Sequence, residues 1–162
     1  MPSITVPSPT GPLTVTEEGG AIVRVDWGTA AEGAPTPLLE RAAMQLDAYF
    51  FCELKAFDLP LAPRGSAFER AVWDLMLEIP RGAARTYGEM AAALNAKGVA
   101  AAAQPVGTAC GSNPIPVIIP CHRVVGAAGG MGGYSGQGGL TTKRFLLELE
   151  GWPGVAPGPL FA

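Results

Sequence analysis

Residues 3–27 are rich in β-formers (Thr14, Val15, Ile22, Val23, Val25), and Gly19-Gly20 divides them with a hairpin-type turn, so this stretch predicts strands. Residues 28–37, rich in Ala, Gly and Pro, predict a loop. Over 38–51 the apolar spacing becomes helical, with Leu39, Ala42, Ala43, Leu46, Tyr49 and Phe50 on one face. Pro60 and Pro63 mark a linker over 55–65, where a domain boundary is expected. Beyond it, Ser66-x-x-Glu69 is a capping box, followed by a helical stripe of Phe68, Val72, Leu75, Met76 and Ile79 that stops at Pro80-Arg81-Gly82. Thr86-x-x-Glu89 opens a second, shorter helix with Met90, Ala91 and Leu94, closed at Lys97-Gly98. A third can begin at Pro105, since proline suits a first helical turn, with Val106, Ala109 and Cys110 inward. The outline is that of a helix-turn-helix, or equally of a small α-bundle. The apolar run 115–119 reads as a buried strand, and the Gly-rich stretch with Tyr134 as a wing or a lid. A last helix is expected from 141–142 to Glu150, with Phe145, Leu146 and Leu149 inward.

With 162 residues, 48% of them apolar, the chain suffices for one domain or two small ones, despite 22 glycines and 16 prolines. There is no N-terminal basic-plus-apolar segment and no apolar run long enough to span a bilayer, so neither secretion nor membrane insertion is expected. Three cysteines without a Cys-x-x-Cys pair argue against a disulfide framework and a zinc cage and suit a reducing cytoplasm. The net charge is −3, unevenly spread: residues 1–64 carry −4 and residues 65–162 carry +1. Any DNA binding would therefore rest on few phosphate contacts.

The chemistry concentrates at Pro120-Cys121-His122-Arg123-Val124, where one cysteine adjoins the only histidine. A thiol becomes a nucleophile at neutral pH with a base or cation at hand, and both lie next to Cys121 in sequence. A cysteine after a buried strand is also commonly inert, and strand neighbours point to opposite faces. Glu150, in the last turn of its helix, opposes the macrodipole at a cost of a few tenths to about 1 kcal/mol. Either water solvates it or a partner offsets the cost, and the His122 imidazole is the partner the sequence offers.

The residues carry a resemblance. Phe68-x-x-x-Val72-Trp73, Ile79-Pro80-x-Gly82, Thr86-Tyr87-Gly88-Glu89, Val106-Gly107, Asn113-Pro114-Ile115-Pro116 running into Pro120-Cys121-His122-Arg123-Val124, Gly133-Tyr134-Ser135-Gly136 and Lys143-Arg144-Phe145-Leu146-Leu147 resemble the O6-alkylguanine-DNA alkyltransferases, or methylated-DNA–protein-cysteine methyltransferases. The match is dense over 66–151. It is weaker toward the N-terminus, at Ser8-Pro9-x-Gly11-Pro12-Leu13 and at the helix ending Tyr49-Phe50. The resemblance implies an α+β protein: a small ribonuclease H-like α/β domain over 1–64, then a winged helix-turn-helix alkyltransferase domain over 65–162. It implies DNA repair by irreversible, single-turnover transfer of the alkyl group of O6-alkylguanine, and of O4-alkylthymine, to Cys121. Glu150, His122 and a water would help deprotonate the thiol. Asn113 would tie the short-helix loop to the active-site turn, and Tyr87 would sit against the base and help neutralise the leaving guanine. The carbonyls of Cys121 and Val124 would read the guanine amino group, with Tyr134 and Ser135 completing the substrate pocket. Gln104, Pro105, Val106, Gly107, Ala109 and Arg123 would meet double-stranded DNA through the minor groove, where small residues permit close approach. No cofactor and no metal are expected, and the protein would act as a cytoplasmic monomer.

The chain departs from the family pattern in three places. Gln104 stands where the family usually has an arginine that replaces the flipped base, and it is too short and uncharged for that. Weaker stabilisation of the flipped base is expected, or help from another residue, for which Arg85 and Lys97 are the candidates. The segment from Tyr87 to Gln104 and the lid Tyr134-Ser135-Gly136-Gln137-Gly138-Gly139-Leu140 are both longer than usual, and a longer lid could widen the pocket for alkyl groups above methyl. The alternative reading is an alkyltransferase-like protein that binds lesions without transfer, although such proteins carry another residue at the position of Cys121. A transcription factor would need base-reading side chains on 105–112, and a thiol hydrolase an oxyanion hole; neither pattern is present.

Overall fold

The computed structural model describes residues 1–127 and 130–154. They fall into two compact units, Met1–Arg64 with Pro114–Ile118, and Gly65–Asn113 with the described residues from Ile119 onward.

In the first unit β1 (Ser3–Val6), β2 (Leu13–Glu18) and β3 (Ala21–Trp27) form an antiparallel meander in the order β1-β2-β3. Val15 faces Val25 across the sheet, and a bulge at Thr16/Glu17 interrupts the register. Helix α1 (Pro37–Phe50) packs on this sheet with Leu39, Ala42, Leu46 and Tyr49 buried. Thr36 caps it by accepting from the Leu39 N–H, and Pro37 fills the first helical position, where no N–H is needed. Two later segments attach to β3. Ile22 exchanges backbone hydrogen bonds with Pro60 and Ala62, and the Val25 N–H donates to the Pro114 carbonyl.

The apolar run 115–119 is buried but is not a strand. Pro114, Pro116 and Pro120 remove the donors a ladder needs, so the chain turns instead, with Val117 at φ 72°. Burial was legible in this run; its backbone conformation was set by the prolines.

The second unit contains α2 (Ala67–Met76), β4 (Arg85–Thr86), α3 (Tyr87–Ala96), α4 (Ala103–Gly111), β5 (Val124–Val125) and α5 (Leu140–Leu149). Both capping boxes form: Ser66 with Glu69, and Thr86 with Glu89. Val72, Trp73, Leu75 and Met76 bury one face of α2, and the Trp73 indole N–H donates to the Ala109 carbonyl at 2.9 Å. That bond holds α2 to α4. Helix α4 starts at Ala103, two residues before Pro105, which still lies in the first turn, where N–H groups have no helical acceptor. β4 and β5 pair in parallel, Arg85 opposite Val124. The Gly-rich stretch holds no strand among its described residues, so no hairpin wing is seen there. In α5 the buried residues are Thr142, Lys143, Leu146 and Leu147; Phe145 and Leu149 are only half-buried. The helix is rotated from the expected face because a lysine, not a leucine, points inward. No described helix is long and apolar enough to cross a membrane.

Candidate active site

Cys121 opens a single 3-10 turn, Cys121–Arg123, that follows directly from the proline-bounded run. The turn explains how neighbours in sequence serve different purposes. Cys121 lines a cavity of ≈ 640 Å³ with Tyr87, Gln104, Gly107, Cys110, Tyr134 and Ser135, while His122 is wholly buried behind it. The Asn113 amide donates to the Ile119 carbonyl at 2.8 Å, tying the end of α4 to the approach to the turn. Burial raises the pKa of the Cys121 thiol. It is opposed by a hydrogen bond from the Asn113 side chain, by the Lys143 cation and by the backbone N–H groups of Cys121 and His122.

The Nε2 of His122 lies 2.7 Å from Oε2 of Glu150. Glu150 caps the C-terminus of α5, and its side chain is fully buried. Arg123 grips it with two bonds, Nε to Oε1 at 2.8 Å and Nη2 to Oε2 at 2.9 Å, and donates through Nη1 to the Ile79 carbonyl at 2.6 Å. Burial acts to raise the Glu150 pKa, but the hydrogen bonds and charges of His122 and Arg123 outweigh it and hold the carboxyl well below its usual range. Burial lowers the His122 pKa; Glu150 opposes that, and the Arg123 and Lys143 charges reinforce it. The imidazole is therefore neutral, its proton on Nε2 facing the carboxylate. Its Nδ1 carries the lone pair and is buried with no hydrogen-bond partner among the described residues.

Arg123 is thus placed otherwise than as a DNA contact. It is buried, and its guanidinium is held by Glu150 and Ile79. Val106 and Ala109 are likewise interior: both are buried, and the Ala109 carbonyl holds Trp73. These two shape α4 from beneath. The exposed residues of its first turn are Ala103, Gln104 and Pro105, with Gly107 half-exposed beside the Tyr87 ring. Of the two cations that could help Gln104, Lys97 already pairs with Glu78 at 2.8 Å on the surface, an interaction weak enough to release.

Tyr87, the first residue of α3, puts its ring into the cavity wall, and its hydroxyl accepts from the Gly133 N–H at 3.4 Å. Burial raises its pKa. Gly132 passes so close that a Cβ there would lie 2.6 Å from the Tyr87 ring, and its φ of +69° also requires glycine. Burial raises the Tyr134 pKa as well. Ser135 Oγ donates to the Gly111 carbonyl at 3.0 Å, joining the lid to the end of α4. The Val124 carbonyl accepts from Lys143 Nζ at 2.7 Å, so only its second lone pair can meet a ligand.

Lys143 is the residue the sequence reading missed. It is wholly buried, donates to the carbonyls of Val124 and Gly133 at 2.7 and 3.0 Å, and lies 5.8 Å from the centre of the Tyr87 ring. Burial pushes its pKa down to about 8, and the thiols Cys121 and Cys110 pull the other way. The available signal was its place three residues before Leu146 on a short amphipathic helix, but an inward lysine reads as solvated by default. Cys110, with its sulfur 3.9 Å from that of Met76, is a second thiol lining the cavity.

A buried carboxylate–imidazole pair thus lies behind a cysteine in a tyrosine-walled cavity, beside the packed helices α3 and α4. Comparison with known proteins agrees. Residues 67–152 match the DNA binding domain of 6-O-methylguanine DNA methyltransferase, and residues 3–63 match the ribonuclease-like domain of the same family. The chain belongs to the 6-O-methylguanine DNA methyltransferase family. It is 44% identical over 152 residues to the methylated-DNA–protein-cysteine methyltransferase of Methanosarcina acetivorans, covering 89% of this chain and 94% of that one. It is 43% identical over 153 residues to that of Mycobacterium tuberculosis, covering 90% of each. The crystal structure of Mycobacterium tuberculosis OGT in complex with DNA superposes with a TM-score of 0.81 at 41% identity, covering 99% of this chain and 98% of that one.

Proposed function

We propose that this chain repairs DNA by transferring the alkyl group of O6-alkylguanine in a duplex irreversibly to Cys121. The observation that carries the reading is the asymmetric imidazole. Its Nε2 is committed to Glu150, so Nδ1 is the lone pair the imidazole keeps for the thiol, and a water would pass the proton between them. Arg123 keeps Glu150 ionised, and Glu150 keeps the His122 tautomer fixed. The thiolate attacks the alkyl carbon; the C–S bond forms as the C–O bond breaks, and guanine leaves with the electron pair. Tyr87, in the cavity wall, would donate toward the departing base and neutralise it. A thioether is not hydrolysed, so each molecule acts once.

The base must leave the stack to reach a thiol at the back of a cavity, and the exposed first turn of α4 offers the surface to do it from the minor groove. Here Gln104 and Pro105 lead, with Arg85 and Lys97 as the candidate sources of positive charge. The test is intact mass after mixing with a duplex holding one O6-methylguanine. One added methyl group is expected on the wild type and none on Cys121→Ala. Bound DNA without a mass change would replace this reading with lesion binding alone.

A further inference from the structure

Two thiols line one cavity, and alkyl transfer uses only one of them. Cys110, near the end of α4, and Cys121, at the head of the 3-10 turn, are both buried, and no disulfide joins them. One residue links their surroundings: the Asn113 N–H donates to the Cys110 carbonyl at 3.3 Å, and the Asn113 side chain hydrogen-bonds the Cys121 sulfur. The buried Lys143 ammonium interacts with both. We propose that Cys110 is a resolving thiol, and that a hydroperoxide closes a Cys110–Cys121 disulfide that reversibly blocks the acceptor.

The steps balance. The Cys121 thiolate attacks the peroxide; the O–O bond breaks, an S–O bond forms, and the alcohol or water leaves after taking a proton. Cys121 is now a sulfenic acid. The Cys110 thiolate then attacks the Cys121 sulfur, the S–S bond forms, and hydroxide leaves and takes up the proton Cys110 released, giving water. Overall two thiols are oxidised and one peroxide is reduced. Burial raises both thiols, and at Cys121 a hydrogen bond from the Asn113 side chain, the Lys143 cation and two backbone N–H groups oppose it, so Cys121 is taken as the first to react. Burial and then the neighbouring Cys121 charge push the Cys110 thiol up to about 12. Once Cys121 is a neutral sulfenic acid that repulsion is gone, while the Lys143 cation remains. Oxidation of Cys121 thus removes one of the two causes that hold Cys110 protonated, while burial, the larger, remains. A disulfide is recovered by thiols, whereas a lone sulfenic acid proceeds to irreversible sulfinic acid.

The experiment uses the full chain carrying Cys52→Gly, which removes the exposed third thiol, treated with hydrogen peroxide and read by intact mass and non-reducing peptide mapping. The expected product has lost the mass of two hydrogens, holds a linked Cys110–Cys121 peptide, and regains both thiols with dithiothreitol. In Cys110→Ala the thiol recoverable at Cys121 falls roughly tenfold, with sulfinic acid in its place. Oxygen on Cys121 with Cys110 still titratable, or equal recovery in Cys110→Ala, overturns the proposal. Since the linked peptide is read without the Cys110 variant, misfolding of that variant does not decide the outcome. All readouts are thiol chemistry and stand whether or not the protein transfers alkyl groups.

Discussion

Glu150 sits where an α-helix least favours a carboxylate, and the site turns that into function. The C-terminal macrodipole and burial both oppose its charge, and Arg123 and His122 together outweigh them. Removing one partner is therefore asymmetric. Arg123→Met leaves a buried carboxylate with a neutral imidazole and should lower the unfolding free energy by about 3–5 kcal/mol in urea titrations. Adding Glu150→Leu should recover part of that loss, since no orphaned charge remains. Glu150→Gln conserves volume but no longer fixes the His122 proton on Nε2. Its single-turnover methyl-transfer rate at neutral pH should fall on the order of 10²-fold, while duplex affinity, measured by anisotropy, stays the same. The sequence offered the Glu150–His122 pairing, from a glutamate in the wrong helical turn. It gave no sign that Arg123 belongs to the same cluster, because an arginine in a protein expected to bind DNA reads as a phosphate contact.

Among the helices, three end in the same hydrogen-bond pattern with different residues. At the ends of α3 and α5 the left-handed position is Gly98 and Gly151. At the end of α1 it is Cys52, φ 60°, with Glu53 and Cys52 donating back to the Ala48 and Tyr49 carbonyls. A side chain in that conformation costs about 1–2 kcal/mol. Cys52→Gly should accordingly stabilise the fold by about 1 kcal/mol and raise Tm by about 2–4 °C in a calorimetric scan. The lid is held differently: Ser135 to Gly111, Gly133 to Tyr87 and to Lys143. These bonds fasten its beginning, and its end is held by the Thr142 hydroxyl donating to the Gln137 carbonyl and by the Gly139 N–H donating to the Gly136 carbonyl. The longer lid expected from the sequence remains the reason to look for tolerance of larger groups. Rates on O6-methyl-, ethyl- and butylguanine duplexes should agree within roughly tenfold by quenched-flow mass analysis; a strict methyl preference would sink the idea.

At the scale of the whole molecule the buried relay couples folding to pH. His122 titrates below its ordinary 6.5 and Glu150 below its ordinary 4.5. In both cases the unfolded chain binds protons that the folded one does not, so stability must fall as pH falls. The loss should begin as pH drops through 6.5, from His122, and steepen below 4.5, from Glu150. The midpoint of urea unfolding followed from neutral to acid pH checks this, and His122→Asn should remove the first of the two phases.

Capping boxes, turn glycines and apolar spacing fixed α1, α2 and α3 from residues a few positions apart, because helix initiation and termination are local events. The Cys-His motif marked Cys121 as the candidate nucleophile for the same reason: it is contiguous. What the tertiary structure alone decided is which distant groups share a dry interior. Lys143 faces inward because the carbonyls of Val124, in β5, and Gly133, in the Gly-rich stretch, satisfy its ammonium; Arg123 turns in because Glu150 arrives from α5; and Cys110 becomes a second thiol of the cavity because α4 ends beside the Cys121 turn. Buried charge is tolerable only with its partners in place, and partners brought together from separate segments leave no periodic mark on the chain.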